Sequence, residues 1–132
     1  VGQDTDGLTY PREVGLDWAV SGKKGYFTGC PAITQLNKTT ANRCLTGFIL
    51  EDHQAPLPKE CQLVLSGDTI TGRVTSVARS PSLRQVIGLA YVAPQQAVSG
   101  TTFEIKTDHG QRIMARATEL PFYDPENTRQ QM

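Results

Sequence analysis

Apolar positions follow one pattern before Asn37 and another after Asn42. In the first stretch the runs are short and mixed. Thr9-Tyr10-Pro11-Arg12-Glu13 predicts a helix start: Thr9 is a capping residue, Pro11 suits the first turn, and Glu13 lies at the positive end of the helix dipole. Gly15 keeps that helix short. Leu16, Trp18 and Val20 alternate with Asp17 and Ala19, which predicts an extended, half-buried segment with Trp18 packed in the core. Ser21 to Gly25 is a polar turn. Gly29 to Leu36 predicts a second short helix with Ala32, Ile33 and Leu36 on one face.

From Arg43 onward the pattern is nearly all β. Cys44–Leu50 is an apolar strand, and Glu51–Lys59, with Pro56 and Pro58, is a loop that a sheet interior excludes. Cys61–Leu65 is a second strand, closed by a turn at Ser66-Gly67-Asp68. Thr69–Val77 is rich in β-branched residues, and Gly72 inside it marks a bulge or bend. Arg79 to Ser82 is a turn, and Val86–Val92 is an apolar strand broken by Gly88. Phe103 and Ile105 precede an Asp108-His109-Gly110 hairpin turn, and Ile113–Ala117 follows it. Short, closely spaced strands with Gly and Pro between them predict a small closed barrel or sandwich. Glycines within strands favour the barrel, whose sheet must bend to close.

Composition narrows the function class. The 132 residues carry 13 Lys+Arg and 13 Asp+Glu, a formal net charge of zero, with no basic run. That argues against nucleic-acid binding. No stretch approaches the roughly 18–20 apolar residues of a membrane helix, and Val1 to Tyr10, with Asp4 and Asp6, is not a signal peptide. A chain of this length buries about two-thirds of its unfolded surface without staples. Cys30, Cys44 and Cys61 are an odd number at wide spacing, and with His53 and His109 they form no zinc pattern. The expectation is three reduced thiols, a cytoplasmic protein and no metal site.

Several segments together resemble one family. Gly2-Gln3-Asp4-Thr5-Asp6-Gly7, Pro11, Gly15-Leu16, Trp18, Val20 and Phe27-Thr28-Gly29 are similar to the folate-dependent aminomethyltransferases, the T-protein of the glycine cleavage system and its relatives. Leu45-Thr46-Gly47-Phe48, Gly72-Arg73-Val74-Thr75-Ser76, Ser80-Pro81-Ser82-Leu83 and Ile87 to Val92 continue the match. The opening, and the ending Phe122 to Asn127 with Arg129-Gln130, look most like the carboxy-terminal part of the sarcosine oxidase α subunit. Cys30 departs from the pattern, since the family carries a basic residue there.

The resemblance implies a mainly β fold: a Greek-key β-barrel of about six strands over residues 43–121. A short α/β lead-in, residues 1–42, is the end of the preceding lobe, and residues 122–132 form a tail. It implies one-carbon transfer from an amine to tetrahydrofolate, with this barrel forming one wall of the folate site. The catalytic carboxylate and an Arg-x-Glu folate motif of the family lie upstream of the matched segment. The chain is therefore expected to resemble the last third of such an enzyme, to hold no catalytic residue and to be inactive alone. Its partners would be the amino-terminal lobes or subunits of the same enzyme, or a second copy in a homodimer. The face toward those lobes is expected near Trp18, Phe27 and Ile33. A stand-alone, non-catalytic barrel that binds a partner or small ligand is the alternative.

Candidate site residues are few. Tyr123, past the last strand, is the folate-contact candidate, and Lys59 is the candidate for the folate glutamate tail; the resemblance supplies both roles. Asp4 and Asp6 read as a solvated turn rather than an acid–base pair. His53 and His109 have no nucleophile partner at a recognised spacing. Thr75, Ser76, Ser80 and Ser82 are expected to satisfy backbone groups at a barrel corner.

Overall fold

The structure is a computed structural model, described for residues 2–52 and 54–131. His53 therefore lies outside the described residues. Six strands, β1 (Cys44–Leu50), β2 (Leu63–Ser66), β3 (Thr69–Ser80), β4 (Gln85–Val92), β5 (Thr102–Lys106) and β6 (Arg112–Thr118), form a closed barrel in the order β1-β4-β3-β2-β5-β6. Every pairing is antiparallel. Strands β2, β3 and β4 form a meander and β1 returns beside β4, which is a Greek key. Closure removes the unpaired sheet edges that an open sheet of this size would expose. The expected mainly β, six-stranded barrel is the observed architecture; the lead-in, expected as α/β, holds helical turns and no strand among its described residues.

Alternation places the core. Ile113, Ala115 and Ala117 of β6 point inward between more exposed neighbours. On β4, Val86, Ala90 and Val92 join the core, with half-buried Ile87 and Leu89 and buried Tyr91 among their neighbours. Phe48 of β1 and Phe103 of β5 meet edge-to-face at the centre, ring centroids 6.0 Å apart. Small residues make room for them. Gly88 is register partner to Phe48, whose ring lies where a side chain at 88 would sit. Gly88 therefore does not break β4; it lets the aromatic ring cross it.

Strand β3 bends at two places, and each carries an unpaired threonine. Between β2 and β3 the register passes from Val64↔Gly72 to Leu65↔Ile70, so Thr71 is extra. Between β3 and β4 it passes from Val74↔Ala90 to Ser76↔Leu89, so Thr75 is extra. Their hydroxyls donate to the partner strands' carbonyls, Thr71 to Val64 at 3.4 Å and Thr75 to Leu89 at 3.2 Å. The bulge expected at Gly72 falls on its neighbour. Gly72 instead lets the Tyr91 carbonyl approach where a Cβ would be.

The lead-in differs from expectation in several details. Pro11–Val14 is a 3₁₀ turn ended by Gly15 in the left-handed region, as the glycine predicts. Its cap residue is Tyr10, not Thr9. Leu16–Val20 is not extended: Asp17–Ala19 forms a 3₁₀ turn, with Trp18 82 % exposed rather than in the core. Alternation over five residues is too short to outweigh the absence of a partner strand. Helix α1 (Cys30–Leu36) forms where expected. The second strand starts at Leu63 rather than Cys61, because Cys61 has a φ of 67°. Arg79 and Ser80 belong to β3, so the hairpin turn begins at Pro81.

Candidate functional site

Three features cluster side chains whose chemistry reaches beyond packing. The first ties the lead-in to the barrel. Arg43, just before β1, donates from Nε and Nη2 to the two carboxylate oxygens of Glu13, at 2.9 and 3.1 Å. Its guanidinium also stacks 4.4 Å from the Tyr91 ring centroid on β4. The Tyr91 hydroxyl donates to the Asp4 carbonyl at 2.8 Å. Glu13 is buried, and its hydrogen bonds raise the Arg43 pKa further above its ordinary value, so this cation is permanent. Asp6 accepts from the Leu8 amide and the Thr9 hydroxyl, which hold its carboxyl below the usual range. The Asp4 backbone carbonyl thus serves Tyr91, whereas the Asp6 carboxylate serves the Leu8–Thr9 turn. One Asp4 carboxylate oxygen is buried without a hydrogen-bond partner among the described residues.

The second feature is the tail. Leu120 and Phe122 pack over Gly47 of β1, which has no side chain to obstruct them. Tyr123 is 46 % exposed, and the Arg129 guanidinium lies 4.9 Å from its ring centroid. Asp124 fixes this turn by accepting from the Arg129 amide and from the hydroxyl and amide of Thr128, bonds that lower its pKa. A shallow cavity of about 280 Å³ runs beside the tail root, bounded by Val14, Thr46, Gly47, Thr118 and Leu120.

The third feature lies at the β5–β6 turn. Lys59 Nζ is 2.9 Å from Asp108 Oδ2, and Gln62 Nε2 donates to Asp108 Oδ1 at 3.1 Å. These partners lower the Asp108 pKa, Lys59 most. His109 is exposed in the turn. Tyr123 and Lys59 are not brought together. The β5–β6 turn precedes β6 and the tail follows it, so the two residues belong to opposite ends of a seven-residue strand, about 20 Å long at ~3.3 Å per residue.

Sequence reasoning missed Arg43, Tyr91 and Gln62. Arg43 stands only at a boundary in the sequence, and Glu13 reads there as a dipole residue. Their pairing across 30 positions has no local signature. The hydroxyl corner behaves as expected at Thr75 and at Ser80, whose Oγ accepts from the Leu83 amide at 3.2 Å. The described residues contain no group of three or more His, Cys, Asp or Glu able to hold a metal. No described helix is long and apolar enough to cross a membrane.

Comparison with known proteins agrees with this geometry. An aminomethyltransferase of Nostoc is 35% identical over 127 residues, covering 96% of this chain and 33% of its own length. One from Symbiobacterium thermophilum is 35% identical over 114 residues, 86% of this chain and 30% of that protein. A sarcosine oxidase subunit alpha of Corynebacterium is 29% identical across 98% of this chain and 14% of its own. The crystal structure of glycine cleavage system aminomethyltransferase T from Bartonella henselae superposes with a TM-score of 0.81 at 25% identity, covering 91% of this chain and 34% of that one. The chain spans about a third of the length of the aminomethyltransferases it matches. Residues 43–124, from the Arg43 anchor through all six strands to Asp124, match the glycine cleavage T-protein C-terminal barrel domain, and the chain belongs to that family.

Proposed function

We propose that this barrel acts within a folate-dependent aminomethyltransferase, as one wall of the cavity that holds tetrahydrofolate. The observation that carries the reading is the similarity to proteins named aminomethyltransferase along nearly the whole chain, lead-in included. Sarcosine oxidase is the branch favoured by the opening and closing motifs. Bound tetrahydrofolate would be the acceptor of the one-carbon unit. The side chains suit it in kind at the tail: the exposed Tyr123 ring offers a face to a flat heterocycle, and Arg129 beside it offers a fork to a carboxylate. Lys59 suits it less, because Asp108 already holds its ammonium. Residues 1–42 are read as the end of the preceding lobe. The exposed Leu8, Trp18 and Tyr26, at 87%, 82% and 80%, are the apolar surface that such a lobe would cover.

Calorimetric titration of tetrahydrofolate against the wild type and Tyr123→Ala tests this reading. The expected result is binding weaker than micromolar, weakened further by the substitution, and no aminomethyltransferase turnover by this chain alone. A cavity lacking its other walls neither excludes water nor positions the ligand rigidly. Micromolar or tighter binding would overturn the single-wall reading. Binding unaffected by Tyr123→Ala would remove Tyr123 from the site. Absence of binding would favour a stand-alone, non-catalytic barrel.

A further inference from the structure

Strand β3 is longer than the barrel needs. On one side it pairs with β2, whose register ends at Leu63↔Arg73. Two further bonds carry that side to Val74: its amide donates to the Gln62 carbonyl at 2.8 Å, and its carbonyl accepts from the Cys61 amide at 2.9 Å. On the other side β3 stays paired with β4 as far as Ser80↔Gln85. Residues 76–80 therefore run past the closed part of the sheet with a partner on one side alone. Among the described residues, no backbone bond covers their other side. Alternate N–H and C=O groups of such a strand face outward and are ready to pair with another chain.

The side chains on this edge are small. Val77 packs toward the core, so Ser76 and Ala78 alternate outward. They leave open a groove of about 180 Å³ over the hairpin, walled by Ile87, Leu89 and Phe122. A long apolar side chain on an added strand would cross Ala78 and rest on that wall.

Charge says what kind of strand fits. The whole chain is neutral, yet between Asp68 and Glu104 it holds Arg73, Arg79 and Arg84 and no carboxylate side chain. None of the three arginines forms an ion pair among the described residues. Arg79 and Arg84 are exposed at the hairpin tip, and Arg73 is half-buried at the barrel end of the edge. They bracket the free edge, with Arg73 and Arg79 about 20 Å apart along the strand at ~3.3 Å per residue. A second copy paired edge to edge would set these arginines against each other, which is unfavourable. A strand with carboxylates near its ends would neutralise them.

We propose that residues 76–80 of β3 accept an extended, acidic segment of a partner protein as an added strand. Main-chain bonds to the free edge hold the segment, the Ile87–Leu89–Phe122 groove takes an apolar side chain, and the arginines select for acid. The proposal rests on no part of the folate reading.

The test is titration with a blocked synthetic peptide of alternating valine and threonine carrying glutamate at both ends, followed through backbone amide signals at low salt. Saturable shifts centred on residues 73–89 are expected, with slowed hydrogen exchange at the edge amides. A peptide with lysine in place of glutamate should bind about tenfold more weakly or worse. The glutamate peptide N-methylated along its backbone keeps its charge and should not bind. Arg79→Glu combined with Arg84→Glu, both at exposed positions, should reverse the preference and make the lysine peptide the better ligand. A merely structural loss would weaken both peptides alike. No saturation by the glutamate peptide, undiminished binding of its N-methylated form, shifts centred on the lead-in, or the same shifts with inorganic polyphosphate would each overturn the proposal.

Discussion

At the scale of single residues, the joint between lead-in and barrel rests on Glu13. Its carboxylate is buried against a guanidinium one-third exposed, and Glu13→Gln removes the charge while keeping the shape. Breaking one side of a buried pair costs about 3–5 kcal/mol, and solvent screening of Arg43 reduces this to about 1–3 kcal/mol. Urea unfolding of the variant against wild type measures it. The thiols give a second residue-level expectation. Cys61 is exposed, whereas burial raises the Cys44 pKa against the opposing effect of Arg12. At neutral pH, Cys61 should alkylate first and Cys44 slowly, with three groups reacting after denaturation without reductant. A single reactive group would indicate a disulfide and would count against a cytoplasmic protein.

At the scale of elements, the barrel bends where β3 carries its extra threonines. Thr75 is fully buried, so Thr75→Val leaves the Leu89 carbonyl without its donor and should cost about 1–3 kcal/mol. Gly88→Ala tests the contact between β1 and β4, because a Cβ there meets the Phe48 ring and lies 2.6 Å from the Ser76 carbonyl oxygen. Overpacking of this kind costs about 1–3 kcal/mol. Turns carry the acid sensitivity. Asp6, Asp68, Asp108 and Asp124 have carboxyl pKa values lowered by hydrogen bonds, from Thr9, Arg112, Lys59 and the Arg129 amide respectively. A depressed folded pKa adds stability above the unfolded value, and that stability is lost as pH falls through the folded one. Denaturation midpoints should therefore hold near neutrality and fall below about pH 4. Asp108→Asn should flatten that fall.

At the scale of the whole molecule, a closed barrel carries a lead-in whose apolar side chains face outward. Trp18 is the sole tryptophan, so its fluorescence reports this face directly. In the chain alone, its emission should be red-shifted and readily quenched by acrylamide. In a longer protein that includes a preceding lobe, the emission should shift to the blue and resist quenching. Equal quenching in both would remove the lead-in from the proposed lobe contact.

The strands were legible because period-two alternation reports which way each side chain faces a sheet, and Gly and Pro mark where chains turn. Cys44–Leu50, the Asp108–Gly110 turn and helix α1 all followed from such local signals. The in-strand glycines favoured a barrel over a sandwich, and the resemblance of the Gly-x-Val-Thr-Ser and Ser-Pro-x-Leu segments added its Greek-key order and its family. What the sequence left open depends on partners distant along the chain. Trp18 alternates like a core residue, but no strand pairs with its segment, so tertiary structure placed it in solvent. Glu13 and Arg43 meet because the lead-in folds back beside β1, and Gln62 and Asp108 meet because β2 pairs with β5. No local period encodes those distances, and it is these long-range meetings that create the anchored lead-in and the braced β5–β6 turn.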